Sequence, residues 1–145
     1  MVTQASAPGE FNQLSPGERD RRWARIRGEM ARRGVDCLLL NGSSARWNEM
    51  NANIRYLAGY ADPISGACYA LFPGNAPGTL VTQMGGKRSL YAMSWFDDIR
   101  AGKSAELPRI VEARLRELGL ASGTLGLVSI VFRDNETYGL PWNQL

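Results

Sequence analysis

The chain has 145 residues, 44% hydrophobic and 21% charged, a composition that excludes an intrinsically disordered chain and is sufficient for one domain with its own core. It contains no histidine, which excludes Ser-His-Asp and Cys-His catalysis and any metal site that needs imidazole. The net charge of +3 is mild, no run reaches the roughly 18 apolar residues of a membrane span, and the first residues lack the apolar centre of a signal peptide, so we predict a cytoplasmic protein.

The first predicted helix follows residues 1–14, which we expect to be a flexible leader. Ser15 can cap this helix, Pro16 takes its first position, and Glu18 lies three residues after the cap. The pattern therefore predicts a helix that begins at Pro16 and packs one face inward. An apolar stripe at helical spacing and a terminal glycine follow, at Trp23, Ile26, Met30 and Gly34.

Arginine is concentrated in this helix. Of the seventeen positive charges fifteen are arginines, and seven of these lie between Arg19 and Arg33. Such a run could contact phosphate groups. The alternative is a solvated helix face in which the acids Glu18, Asp20 and Glu29 are interleaved, and we favour this interpretation.

Apolar runs bounded by turn-forming residues predict the strands. Val35 to Leu40 is nearly continuous and indicates a strand covered on both faces. Ala67 to Phe72 and Thr79 to Gln83 flank PGNAPG and predict an antiparallel hairpin. We expect a short helix around Arg88 to Ser94 and a short strand over Phe96 to Ile99.

A second long helix is predicted from the Ser104 to Pro108 region to Gly119, because proline is tolerated in the first turn. Thr124 to Val131 then predicts another strand. The eight residues NIRYLAGY should be extended or turning over Ile54 to Leu57, with the bend at Gly59. The order of elements predicts an α/β fold, a mixed β-sheet with helices packed on its faces.

The remaining reactive residues favour structural roles. Cys37 and Cys68 lie in apolar surroundings and form no C-x-x-C pair, so we predict buried thiols in place of a disulfide or redox site. Asp97 and Asp98 would point to opposite faces of a strand, so one should pair with an arginine while the other is solvated. The MGGKRS stretch lacks the glycine and hydroxyl spacing of a phosphate-binding loop.

Four stretches, in this order, carry a family resemblance: RWARIRGEMARRGVD running into CLLL, then NIRYLAGY, ACYALFPGNAPGTLV and LPRIVEARLRELGLASGTLGLV. Over roughly residues 15 to 135 the sequence resembles the N-terminal domain of the creatinase/prolidase family, which includes Xaa-Pro dipeptidases, aminopeptidase P and creatinase. The resemblance implies a domain with a ribonuclease H-like motif over residues 15–145, cut before a larger catalytic domain with the pita-bread fold.

The reaction is implied to belong to that second domain. In the metallopeptidases it holds two divalent metal ions, manganese, cobalt or zinc, through two aspartates, a histidine and two glutamates, whereas creatinase uses the fold without metal. None of these ligands can be placed in this chain. The resemblance therefore implies a hydrolase as the parent protein and no catalytic, metal-binding or cofactor-binding residue in the chain itself.

The resemblance also implies a role for this domain in a homodimer, where it would associate subunits and help to close the partner's active site, next to its own C-terminal catalytic domain. Arg55 could bind a substrate carboxylate through two parallel hydrogen bonds, Tyr56 and Tyr60 could line the entrance, and Asn53 could anchor the loop. The alternative is that this segment packs as a strand and Arg55 pairs with a surface acid.

Three tryptophans in polar contexts, Trp47, Trp95 and Trp142, are interface candidates, because tryptophan is enriched at interfaces. Two other functions stay open. A free-standing protein-binding or nucleic-acid-binding module would use the arginine helix, although nucleic acid is not the partner that we expect. A small-ligand domain would need a closed pocket near Asn41 to Ser44 and Arg55.

Overall fold

The computed structural model describes residues 15–43, 52–60, 67–83 and 94–128. The predicted leader and the predicted helix that starts around Arg88 lie outside these residues. A 3-10 turn over Ser104–Glu106 precedes the last helix. The helices are α1 (Pro16–Arg33), α2 (Ala52–Ala58) and α3 (Leu107–Glu117), and the strands are β1 (Cys37–Ser43), β2 (Ala67–Pro73), β3 (Thr79–Thr82), β4 (Asp98–Ala101) and β5 (Leu125–Val128).

The described strands form one mixed sheet in the order β4-β3-β2-β1-β5. The central pairs β1–β2 and β2–β3 are antiparallel, whereas β3–β4 and β1–β5 are parallel. One face of the sheet packs against α1 and α2, and the other packs against α3. The predicted class, a mixed sheet with helices on its faces, is confirmed.

Helix α1 begins and ends where the sequence predicts. The Ser15 hydroxyl accepts a hydrogen bond from the Glu18 N–H at 3.3 Å, and Pro16 needs no such partner because it has no N–H. Gly34 adopts the left-handed conformation with φ of 66°, and the Val35 N–H then reaches back to the Met30 carbonyl at 2.9 Å. Both caps are local, so the sequence is sufficient to define them.

The predicted hairpin of β2 and β3 is also confirmed. Its turn is tied to α1 by Arg27, which donates to the carbonyls of Pro73 at 3.3 Å and Ala76 at 2.8 Å. The Arg27 guanidinium also lies 4.7 Å from the centre of the Phe72 ring. An arginine of the predicted solvated face therefore fixes the hairpin to the helix.

An aromatic cluster lies between α1, the sheet and the segment before β4. Trp23 is 5.7 Å from both Phe72 and Phe96 between ring centres, and the two phenylalanines stack at 6.1 Å. Such pairs contribute about 0.5–1.5 kcal/mol each beyond burial. The Phe96 ring fills the space over Gly78, where an added Cβ would lie 2.4 Å from its Cζ atom.

Three sequence expectations were wrong in detail. The segment expected to be extended over Ile54 to Leu57 is helical, because its buried residues Ile54, Leu57 and Ala58 follow helical spacing. The strand expected over Phe96 to Ile99 begins two residues later, since Phe96 turns into the aromatic cluster and ends up buried. The strand expected over Val35 to Leu40 is likewise shifted towards the C-terminus, and it ends at Ser43.

Charged side chains join β4 to α3 at the edge of the sheet. Asp98 accepts a hydrogen bond from the Thr79 hydroxyl at 2.8 Å and forms ion pairs with Arg100 and Arg114, both at 3.1 Å. The same arginines contact Glu117 of α3, at 2.6 Å and 3.0 Å. The expectation that one residue of the aspartate pair contacts arginine is thus confirmed for Asp98, while Asp97 is exposed.

Gly78→Ala should destabilise the domain by about 1–3 kcal/mol, since the new methyl group must displace the Phe96 ring. Gly28→Ala is the matched control, because a Cβ there meets no atom within 4 Å and alanine favours a helix interior by about 0.5–1 kcal/mol. Urea unfolding followed by circular dichroism measures both. Equal stability of the two variants would contradict the packing that we describe.

The carboxylate of Glu117 should make the domain sensitive to acid. Hydrogen bonds from Arg100, and then from Arg114, lower the pKa of Glu117 from 4.5 to about 2. Because the folded state has the lower pKa, this contribution is present above about pH 4.5 and is lost as the pH falls towards about 2.

Glu117→Gln should therefore reduce the loss of unfolding free energy between about pH 6 and about pH 3, as measured by urea titration. Glu112→Gln is the control, since Glu112 contacts only Arg116 of its own helix among the described residues. If the wild type and Glu117→Gln lose the same stability in acid, the link between β4 and α3 does not act as described.

Candidate functional site

Helix α2 divides the residues of NIRYLAGY between the core and the surface. Asn53, Arg55 and Tyr56 are exposed, and Tyr56 is 43% accessible to solvent. Tyr60 is fully buried, so it packs in the core and does not share the surface of Arg55 and Tyr56. Of the four residues expected to contact substrate, three are therefore exposed residues of helix α2.

Arg22 holds the Tyr56 ring against α1. Its guanidinium carbon lies 4.2 Å from the ring centre, and its Nη1 atom donates to the Tyr56 carbonyl at 3.2 Å. Glu18 in turn holds the guanidinium through the Nε atom at 2.8 Å. The position of Tyr56 is thus fixed although much of its ring is exposed, which lowers the entropy that any partner would have to remove.

The carbonyl groups at the end of α2 are also bound by side chains and backbone from elsewhere in the fold. The Trp23 indole N–H donates to the Leu57 carbonyl at 2.8 Å, and the Trp95 backbone N–H donates to the Ala58 carbonyl at 2.7 Å. These carbonyls would otherwise lack partners at a helix end. Gly59, with φ of 68°, makes the predicted bend.

Trp95 lies beside Tyr56 and extends the exposed aromatic surface. Its ring is half-buried and lies 5.9 Å from the guanidinium carbon of Arg22. A groove of about 380 Å³ continues from it between α1 and the hairpin, with Asp97 on its rim. We call the surface formed by Arg22, Tyr56 and Trp95 the Tyr56 surface. Trp47 and Trp142, the other interface candidates, lie outside the described residues.

Two exposed charged residues have no ion-pair partner within the described ranges. Neither Arg55 nor Asp97 forms an ion pair with any residue that the structure describes, and both are exposed. Helix α2 contains no acid of its own. The expected alternative, in which Arg55 pairs with a surface acid, is therefore not what the described part of the chain shows.

Five of the seven arginines of α1 form ion pairs with acids of the same helix. Glu18 contacts Arg21 and Arg22, and Glu29 contacts Arg32 and Arg33. The hydrogen bond from Arg32, and then that from Arg33, lowers the pKa of Glu29 to about 2. This pattern supports the predicted solvated face and leaves less free charge for a polyanion.

The described residues hold no catalytic arrangement. Cys37 and Cys68 are buried free thiols, as predicted, and burial raises the pKa of Cys37 to about 11. Within the four described ranges, no three Cys, Asp or Glu side chains are grouped so that they could hold a metal ion. The donors present thus do not fit the two-metal site that the family resemblance implies for the second domain.

The larger cavity lies away from the Tyr56 surface, on the α3 side of the sheet. It has a volume of about 630 Å³, and Leu39, Tyr69, Val111 and Leu125 belong to its lining. The alternative of a small-ligand domain would need a closed pocket near Asn41 to Ser44 and Arg55. Asn41 is buried in β1, and neither it nor Arg55 lines this cavity.

The sequence indicated Arg55 and Tyr56 but gave no role to Arg22, which holds the Tyr56 ring. Arg22 directly precedes Trp23 and lies four residues before Ile26, so it borders the apolar stripe of α1. An arginine at such a border is placed to reach across to a neighbouring helix. The position of Arg22 beside the apolar stripe was the signal in the sequence for such a contact, although it does not identify the neighbouring helix.

These features define a class of protein: an α/β domain with a mixed sheet that presents an ordered, exposed aromatic residue on a short helix and, in its described part, no catalytic centre. The model of the creatinase/prolidase N-terminal domain family matches residues 22–132, and the chain belongs to this family. The family resemblance that the sequence indicated is therefore confirmed.

A solved structure shows the same fold. The chain is similar to the crystal structure of an XXA-pro aminopeptidase from Streptococcus pyogenes, with 18% sequence identity and a TM-score of 0.57 over 78% of this chain and 93% of that chain. No curated protein matches the sequence. No helix among the described residues has the length and apolar character needed to cross a bilayer.

A double-mutant cycle should detect the stacking of Arg22 on Tyr56. Arg22→Met and Tyr56→Leu should be coupled by about 0.5–1 kcal/mol in unfolding free energy, because each removes one half of the contact. The control pair is Arg25→Met with Tyr56→Leu, since Arg25 is an exposed residue of the same helix that shows no stacking on Tyr56 in the described structure. Equal coupling in the two pairs would contradict the stacking.

Proposed function

We propose that this chain is the non-catalytic N-terminal domain of a creatinase/prolidase-like hydrolase, a metal-dependent Xaa-Pro peptidase of the aminopeptidase P type. In this proposal the domain associates subunits into a homodimer and helps to close the partner's active site. Its other partner is its own C-terminal catalytic domain. The family match and the shared fold support the first part of the proposal.

The observation that carries the role in closing an active site is the exposed pair of Arg55 and Tyr56. The guanidinium of Arg55 has five N–H donors that fit a carboxylate. No described acid neutralises it. Asn53 is exposed on the same short helix, so these side chains can meet a substrate or a partner together.

The ordered backbone of α2 supports the same role. Contacts from Arg22, Trp23 and Trp95 fix three successive carbonyls of this helix, those of Tyr56, Leu57 and Ala58. A charge on a fixed helix loses less conformational freedom on binding than one on a loop. The domain thus contributes positioning, whereas bond cleavage requires groups that we assign to the second domain.

The chemistry in this proposal belongs to residues past Leu145. A catalytic domain there would hold two divalent ions that activate water and polarise the scissile carbonyl. We propose residues 1–14 as a leader, residues 15–145 as the accessory domain and the cytoplasm as the location.

In the complete protein, Arg55→Ala should raise KM for an Xaa-Pro substrate by about tenfold to a hundredfold with little change in kcat. A lost charge-assisted hydrogen bond is worth about 1.5–3 kcal/mol, and a group that binds ground and transition state equally affects KM. Steady-state kinetics measure the change, with Arg25→Ala as the control. An unchanged KM would exclude contact between Arg55 and the substrate.

The reading frame after Leu145 tests the proposed parent enzyme directly. We expect it to continue for about two hundred residues, the size of a further domain, with spaced Asp, Asp, His, Glu and Glu. A stop codon there would contradict the proposal. Salt-dependent binding of a polyanion by α1 would then favour the free-standing binding module.

A further inference from the structure

A groove runs along α3 on the side of the sheet opposite α1. Helix α3 packs mainly over β2 and β3, and Arg114 holds it towards β4 through an ion pair with Asp98 at 3.1 Å. The other half of this face, formed by β1 and β5, is therefore less covered by the helix. The space that remains has a volume of about 630 Å³, within the range of small-molecule sites. We call this space the α3 groove.

The floor of the α3 groove is apolar. Leu39 of β1 and Tyr69 of β2 are buried beneath it, and Leu125 of β5 is half-buried. Leu127 pairs in register with Leu39 and lies two residues after Leu125, so it belongs to the same face, where it is 37% exposed. The apolar surface thus continues along β5. A ligand with an apolar body would release the water that contacts this surface.

The loop after α3 forms the second wall of the groove, and backbone hydrogen bonds hold it in place. The Leu120 N–H donates to the Leu115 carbonyl at 2.9 Å. The Thr124 N–H donates to the Asp36 carboxylate at 2.8 Å, and the Asp36 N–H donates to the Thr124 carbonyl at 2.9 Å. These bonds fix the loop to the start of β1. The groove is therefore formed in advance, which lowers the entropic cost of binding.

The charged residues that line the α3 groove all belong to α3, and one of them has no ion-pair partner in the described part of the chain. Glu112 and Arg116 pair with each other at 2.8 Å. Arg109 is exposed, lies near the N-terminal end of the helix and forms no ion pair with a described residue. The groove thus combines an apolar floor with one uncompensated positive charge at its rim.

We propose that the α3 groove binds a monocarboxylate with an apolar tail, such as a medium-chain fatty acid. Arg109 pairs with the carboxylate through two parallel hydrogen bonds, and the tail lies along the floor over Leu39 and Leu125. A phosphate monoester matches the groove less well, because it carries close to two negative charges and one cation is free to meet them. The site lies across the sheet from α1 and α2 and adds a binding activity to the proposed function.

Calorimetric titration of the 145-residue chain with decanoate tests the pairing with Arg109. Arg109→Ala should weaken decanoate binding by about tenfold, because it removes the charge-assisted hydrogen bonds. Decanol has the same tail without the charge. The wild type should therefore bind decanol about tenfold more weakly than decanoate, and Arg109→Ala should leave the affinity for decanol unchanged.

Arg25→Ala is the matched control for the charge. Arg25 is an exposed arginine of α1, forms no ion pair with a described residue, and belongs to the helix that packs on the other face of the sheet. Its replacement should leave decanoate binding unchanged. A general attraction of the anion to a basic protein would weaken equally in Arg25→Ala and Arg109→Ala, and that result would overturn the proposed site.

Ala121→Trp tests the position of the tail. Ala121 is exposed and lines the groove, so an indole at this position should occupy it and abolish the binding of both decanoate and decanol. Methyl NMR of the wild type locates the ligand. The resonances of Val111 and Leu115 should shift on addition of decanoate, whereas that of Ile26, on the other face, should not. Circular dichroism checks that each variant keeps its fold.

The outcomes support or overturn the site independently of the proposed function. Binding that both Arg109→Ala and Ala121→Trp weaken, with shifts confined to the α3 face, supports it. Decanoate that produces neither heat nor methyl shifts at millimolar concentration overturns it. Equal binding of decanoate by the wild type and Arg109→Ala overturns the assignment of a carboxylate. None of these results changes the expected role of the domain in subunit association.

Discussion

The structure depends on the way in which the partly buried Trp23 indole packs. Its ring contacts Phe72 on the sheet and Phe96 ahead of β4, each at 5.7 Å, while its N–H binds the Leu57 carbonyl of α2. One side chain thus connects the first helix with three later parts of the chain. The indole suits this position because it combines a large apolar surface with one donor that must be satisfied when buried. Arginine side chains of α1 also pack around this ring.

This arrangement explains how a surface can be exposed and rigid at once. Helix α2 has only seven residues, which is too short to be stable alone in water. Its buried side gives it a place on the sheet, and donors from Arg22, Trp23 and Trp95 occupy its last carbonyls. Arg55, on the exposed side of α2, is then not required to hold the helix in place. A residue such as Arg55 can contact a partner because it does not contribute to the stability of the fold.

The sequence was informative where structure is set by neighbours along the chain. The caps of α1 at Ser15 and Gly34 and the hairpin turn involve contacts over a few residues, and all were predicted. NIRYLAGY was misread because a buried stripe of three residues in so short a segment fits a strand or a helix, and the choice depends on packing against α1. Arg22 and Tyr56 are 34 residues apart, so no local pattern could pair them.

The distribution of acids supports the proposal that α2 contacts a substrate or a partner. In α1 and α3 the glutamates lie three or four residues from arginines, so ion pairs form within each helix. NIRYLAGY contains no acid, and the fold brings none to Arg55 among the described residues. A bare guanidinium in water costs the free domain little, but it adds specificity once a carboxylate faces it in a dry contact. The charge of Arg55, which no described acid balances, therefore supports the proposed contact with a carboxylate.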